Sequence, residues 1–160
     1  MLISKELNAA INEEIGLEFF AANHYTAMAC YFDSLALKKL AKMFFKQADE
    51  EREHGLKFVH YVNQAGGTVT IPEIKAPQGT FKSVEDAIKS ALDWELEVTR
   101  RINNLMALAI EQKDYIGQDF LRWFVTEQLE EVSTMETLLE VVRQAGDRNL
   151  IMLEAYLSHD

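Results

Sequence analysis

The apolar positions of this chain fall on four long stripes whose steps alternate between three and four residues, the spacing of a helix face that packs against other helices. The first run, from Ser4 to Asp33, reads Leu7, Ile11, Glu14, Glu18, Ala21, Tyr25, Met28, Phe32, with Ser4 placed to cap it. The second, from about Leu35 to Gln64, reads Leu37, Leu40, Phe44, Gln47, Glu51, His54, Phe58, Tyr61. Asp33-Ser34 can cap it, and Gly66-Gly67 stops it. The third begins at Ser83, where Asp86 makes a near capping box, and reads Val84, Ile88, Ala91, Glu95, Val98, Ile102, Leu105, Ala109. The fourth, about Tyr115 to Ala145, reads Leu121, Phe124, Gln128, Glu131, Met135, Leu138, Val142 and ends at Gly146. A tail over about 148–158 carries Leu150, Ile151, Met152, Leu153, Tyr156 and Leu157, too apolar for a free end. It predicts a short fifth helix that packs on the bundle or on a neighbouring subunit.

Between the second and third runs, Pro72, Pro77 and Gly79 interrupt an extended stretch. About 17 residues of extended chain reach roughly 55 Å, and a helix of about 29 residues is roughly 43 Å long. The connection can therefore run the full length of the bundle. The other connections are short. The pattern predicts an all-α fold, a four-helix bundle over about 4–145 with a long crossover between helices two and three and a short C-terminal helix, in one domain over 1–160.

Each stripe is interrupted near its middle by polar residues: Glu18, then Glu51 with His54, then Glu95, then Gln128 with Glu131. Their depths agree to within about a turn, since Glu18 lies 14 residues past Ser4, Glu51 13 before Gln64, Glu95 12 past Ser83 and Gln128 13 past Tyr115. Glu14 shares the first stripe but sits nearer the helix end, where a side chain can more easily reach water. Four carboxylates and an imidazole at one level of an apolar core repel one another and lose hydration, which is strongly destabilising without a cation. Carboxylate oxygens with one imidazole nitrogen suit iron or manganese and lack the thiolates of a structural zinc site.

Composition narrows the functional classes. The formal net charge of −10 argues against sequence-independent nucleic-acid binding and favours attraction of cations. One cysteine, Cys30, excludes an internal disulfide. The N-terminal residues lack a signal-peptide pattern and no apolar run is long enough to span a bilayer, so a cytoplasmic protein with no membrane partner is the expectation. His24, His60, His159 and Cys30 read as structural or surface residues.

Four segments together resemble bacterial non-haem ferritins along nearly the whole chain: Asn12-Glu13-Glu14-Ile15-Gly16-Leu17-Glu18, Glu50-Glu51-Arg52-Glu53-His54, Trp94-Glu95, and Phe120 through Glu131. The resemblance implies a ferroxidase di-iron centre. In it Glu18, Glu51 and His54 hold one iron, Glu51, Glu95 and Glu131 the other, and Gln128 is a polar partner for an oxygen species. It further implies a third iron site at Glu50, Glu127, Glu130 and Glu131, and a redox role for the aromatics Tyr25 and Trp123. On their own residue types, Glu50, Glu53, Glu127 and Glu130 are a solvated acidic face, and Tyr25 and Trp123 are core aromatics. The fourth helix carries Gln-x-x-Glu and not a second Glu-x-x-His, and Arg52 stands where a bacterioferritin has its haem-ligating Met, so no haem is expected. The implied function is Fe²⁺ oxidation by O₂ or hydrogen peroxide and ferric mineral storage in a homo-oligomeric shell of twenty-four subunits. The alternatives are a di-metal oxidase or peroxidase without storage, and a non-catalytic acidic bundle.

Overall fold

Capping side chains mark where three of the four long helices begin. Ser4 Oγ accepts from the Leu7 amide, Ser83 Oγ from the Asp86 amide and Asp114 Oδ1 from the Gly117 amide. Each satisfies an amide that the first turn leaves without a partner. The computed structural model describes residues 1–158, and there it contains α1 (Lys5–Ser34), α2 (Lys38–Gln64), α3 (Val84–Glu111), α4 (Tyr115–Ala145) and α5 (Leu150–Leu157). No strand occurs among the described residues. His159 lies outside them. None of the helices is long and apolar enough to cross a membrane.

The start of α2 differs from the sequence expectation. Asp33 and Ser34 do not cap it, because α1 continues through Ser34 and the chain reverses at Ala36, which sits at φ 60°. The cap comes from far along the sequence. The Glu154 carboxylate on α5 accepts from the Lys39 and Leu40 amides, both at 2.9 Å. A carboxylate at a helix N-terminus also meets the positive end of the helix dipole. With Leu153 fully buried beside it, α5 is held against its own bundle.

Two apolar cores hold the bundle together. One gathers the end of α1 and the starts of α2 and α3 with the end of α4, including Met28, Phe32, Leu40, Phe44, Ile88 and Leu138. The other gathers the start of α1, the ends of α2 and α3 and the start of α4, including Leu7, Ile11, Phe58, Ile102, Leu121 and Phe124. This partition gives the helix directions: α1 and α4 run one way, α2 and α3 the other. The crossover must therefore return along the whole bundle, and it does so against α1. Asn8 and Asn12 hold Thr68 and Thr70 through their side-chain amides at 2.8–3.1 Å. Pro72 then lies against Gly16, where a Cβ would come within 2.3 Å of the proline ring. Phe81 packs on Tyr31 near the far end of α1. Gly55 similarly lets α2 approach α1, since a Cβ there would meet the Phe19 ring at 2.6 Å.

Glu154→Ala is expected to remove both cap bonds and lower subunit stability by about 1–2 kcal/mol, read as a lower denaturation midpoint with unchanged helix content. An unchanged midpoint would show that α5 does not support α2.

Candidate metal centre

Between the two apolar cores lies one polar layer. Glu18, Glu51, His54, Glu95, Gln128 and Glu131 are all buried there, each at 5 % exposure or less. They face inward because each occupies a stripe position of its helix, flanked one turn away by core residues such as Ala21, Phe58, Val98 and Met135. Tyr25, fully buried, donates its hydroxyl to Glu95 and packs edge-on against Phe44.

The layer brings together two overlapping triads. Ligand atoms of Glu18, Glu51 and His54 lie within 4.8 Å of one another, as do those of Glu51, Glu95 and Glu131. Glu51 belongs to both, so the arrangement can hold two cations with one carboxylate between them. One oxygen of Glu18, Oε2, is fully enclosed without a hydrogen-bond partner, and lies 3.8 Å from His54 Nδ1. A buried carboxylate oxygen without a proton donor is costly, which is the state a cation relieves.

A third triad links the layer to an acidic cavity. Ligand atoms of His54, Glu127 and Glu131 also lie within 4.8 Å of one another. The two nitrogens of His54 face opposite ways, with Nδ1 3.3 Å from Glu51 and Nε2 3.8 Å from Glu127. Beyond it, a cavity of about 340 Å³ is lined by Glu50, Glu127, Glu130 and Glu131 with Lys46 and Thr134. Glu50 is half-buried and Glu130 exposed, and neither joins a triad. Glu53 is exposed. Trp123, 40 % exposed, stands edge-on to His54 with its ring centroid 5.4 Å away, and Lys57 Nζ sits 3.3 Å over the indole.

Amide side chains hold the carboxylates in place. Gln128 Nε2 donates to Glu95 Oε2 at 3.1 Å, to the Glu95 carbonyl at 3.2 Å and to Thr99 Oγ1 at 3.1 Å. Gln128 is thus turned toward α3 as a positioner of Glu95. Gln47 Nε2 bridges Glu51 Oε1 at 2.9 Å and Glu131 Oε2 at 2.5 Å. Sequence reasoning put Gln47 on the stripe but gave it no role. Its stripe position one turn before Glu51 was the available signal. Thr99 carried no signal at all. Glu14 corrects an expectation: it is only 2 % exposed, because nine residues into α1 it lies at the buried end of the gap between α1 and α3.

Burial shifts the titration of the layer's carboxyl groups. It pushes Glu95 up to about 8 and Glu131 up to about 9, helped in each case by the negative charge of other layer carboxylates. Glu18 is raised well above the usual carboxylate range by burial and then by Glu51, and burial raises Glu14 to about 7. Glu51 goes the other way. Burial raises it, but hydrogen bonds with His54, Glu18 and Gln47 outweigh that; burial in turn lowers His54, but its hydrogen bond with Glu51 and that carboxylate's charge raise it overall.

Comparison with known proteins gives a consistent neighbourhood. Residues 8–145 match the family model described as a ferritin-like domain. A bacterial non-heme ferritin of Staphylococcus epidermidis is 43 % identical over 146 residues, covering 91 % of this chain and 88 % of the relative. One from Staphylococcus aureus is 40 % identical over the same length and shares. Among solved structures, an open-pore ferritin from the archaeon Archaeoglobus fulgidus superposes with a TM-score of 0.94 at 33 % identity, covering 98 % of this chain and 97 % of that one.

The raised carboxylates give the metal-free protein a definite pH response. A carboxyl group that titrates near 4.5 when unfolded and higher when folded stabilises fully below about pH 4.5 and loses that contribution as the pH rises through its folded value. His54, also raised, loses its contribution in the same direction. In chelator-treated protein the melting temperature is expected to fall by several degrees between about pH 6 and pH 8, and anaerobic saturation with Co²⁺ should abolish the fall. A melting temperature that is flat or rising over that window would contradict the dehydrated layer.

Proposed function

The chain belongs to the ferritin family, and from that membership we propose that it is an iron-storage protein that oxidises Fe²⁺ at the buried carboxylate layer. The observation that carries this reading is the pair of triads sharing Glu51. Glu18, Glu51 and His54 would take one Fe²⁺, and Glu51, Glu95 and Glu131 the second. Iron is the substrate here and passes on as product.

The chemistry follows from the setting. Two Fe²⁺ each give one electron to O₂, which with two protons leaves as hydrogen peroxide. With peroxide as the oxidant, the same two electrons and two protons give two waters. The protein holds the two ions at adjacent positions, so both electrons reach one oxidant molecule. Carboxylates favour the more highly charged Fe³⁺ over Fe²⁺. Layer carboxyl groups that are protonated before iron arrives must release protons as they become ligands. Gln47 and Gln128 keep the carboxylates aimed while their charge changes. Tyr25, bonded to Glu95, is positioned to supply an electron or proton beside the second triad.

Storage rather than oxidation alone is favoured by the acidic cavity next to the centre. Glu131 borders both the layer and that cavity, and His54 forms a triad with Glu131 and the cavity's Glu127, so Fe³⁺ has carboxylates to move onto: Glu127, then Glu50 and Glu130. This is the third iron site of the reading. Mineral needs an enclosed space that one bundle lacks, so the reading requires a shell of copies, with twenty-four subunits as the family expectation. Leu129 on α4 and Ile151, Met152 and Tyr156 on α5 are exposed apolar side chains available to subunit contacts.

Glu51→Ala and His54→Ala are each expected to slow the first phase of aerobic Fe²⁺ oxidation by more than the roughly 10–100-fold typical of outer ligand-sphere changes, followed by ferric absorbance in stopped flow, while the particle still assembles. Wild-type initial rates in either variant would remove these residues from the centre. Glu130→Ala should leave that first phase in place but change the iron-to-oxygen stoichiometry or the yield of mineral. An unchanged stoichiometry would return Glu130 to the solvated face.

A further inference from the structure

Glu14 is the buried carboxylate that the two triads do not use. It is 2 % exposed, one turn before Glu18 on the same face of α1, and its Oε1 has no hydrogen-bond partner. A second observation bears on it from outside the bundle. A cavity of about 200 Å³ between α1 and α3 is lined by Glu13, Glu14, Arg100, Arg101, Asn104 and Leu105. Glu13, Arg100 and Asn104 are exposed, so the cavity opens to solvent, and Glu14 is its buried end. Immediately inward of Glu14 comes Glu18, whose Oε2 is also enclosed and unpartnered.

Among the described residues, the two arginines lining this cavity form no ion pair with Glu14, and the positive charge of Arg101 offsets only part of what burial does to it. Both arginines are taken up by Glu97: Arg100 contacts it at 2.6 Å and Arg101 at 3.0 Å. An enclosed carboxylate oxygen left without a donor is costly unless the group holds a proton or binds a cation. With Glu18 behind it and an opening in front, Glu14 is placed to bind a cation on its way inward.

We infer that Glu14 is a relay ligand: divalent cations pass from the α1–α3 cavity onto Glu14 and from there onto Glu18. This rests on the cation-binding reading of the layer and adds a route to it. The route enters at the α1–α3 side, whereas the acidic cavity of Glu50, Glu127 and Glu130 lies at the α2–α4 side. Ions would thus arrive on one face of the bundle and depart on the other. A relay speeds approach and departure equally, so it changes rates without changing the equilibrium constant.

The test uses the assembled protein with Co²⁺, a redox-silent ion whose visible absorbance reports carboxylate and imidazole ligation at the centre, under anaerobic stopped flow. Glu14→Gln keeps the side chain's shape and removes its charge. It is expected to slow Co²⁺ arrival and chelator-driven release together, each by about tenfold, with the dissociation constant held within about threefold. Asn104→Arg, at the exposed mouth and away from the buried carboxylates, should slow arrival as well. Wild-type rates in Glu14→Gln would overturn the relay. So would a weakened dissociation constant with an unchanged arrival rate, which would make Glu14 a support for Glu18. Slowing by Glu14→Gln but not by Asn104→Arg would overturn the α1–α3 route. If the wild-type protein bound no Co²⁺ at the centre, the layer itself would be at fault, a separate failure.

Discussion

An ionised carboxylate cannot sit in an apolar core unless something of opposite charge or a set of donors meets it. This bundle places Glu14, Glu18, Glu51, Glu95 and Glu131 in its interior with one imidazole and two amides among them. The rest of the structure is arranged around that conflict. The apolar core is split into two halves, with the carboxylates gathered in the gap between them. Without cations, burial favours protons on the layer's carboxyl groups, Glu51 pairs with His54, Gln47 bridges Glu51 to Glu131, and Gln128 holds Glu95. On the proposed reading the same residues would become ligands once cations bind. The proton-holding and ion-holding states compete for the same oxygen atoms.

The helix order makes the layer possible. With α1 and α4 running opposite to α2 and α3, mid-helix positions of all four helices meet at one level. The long return between α2 and α3 is what permits that order, and Asn8, Asn12 and Gly16 hold it to α1. Glu154 fixes the start of α2 from the other end of the chain. These devices lie far from Glu51, yet they set the relative height of α2 against the other helices, and a shift of one turn would separate the triads.

Much of this was legible in the sequence, for a physical reason. Burial in a helical bundle follows a period of 3.6 residues, so a polar residue on the apolar stripe is conspicuous, as Glu18, Glu51, His54, Glu95, Gln128 and Glu131 were. The crossover was legible because Pro72, Pro77 and Gly79 exclude a helix. What was not legible depends on side chains from distant parts of the chain. Nearness to the helix end makes Glu14 look able to reach water, but it is a poor guide where a neighbouring helix flanks the position. Asp33-Ser34 looks like the α2 cap by local sequence, and nothing local to Lys39 points to Glu154, which supplies it. Gln47 was visible as a stripe residue, but its bridge from Glu51 to Glu131 depends on how closely α2 and α4 approach. The outlying acids Glu50, Glu127 and Glu130 could be read only by resemblance, because exposed acidic residues are common on any helix.

The central claim is that this crowding of carboxylates is a pair of iron positions sharing Glu51. Anomalous diffraction at the iron edge from crystals soaked anaerobically in Fe²⁺ tests it most directly. Two peaks on either side of the Glu51 carboxylate, one within reach of Glu18 and His54 and the other of Glu95 and Glu131, are the predicted result. Iron found only among Glu50, Glu127 and Glu130, with none in the layer, would contradict it.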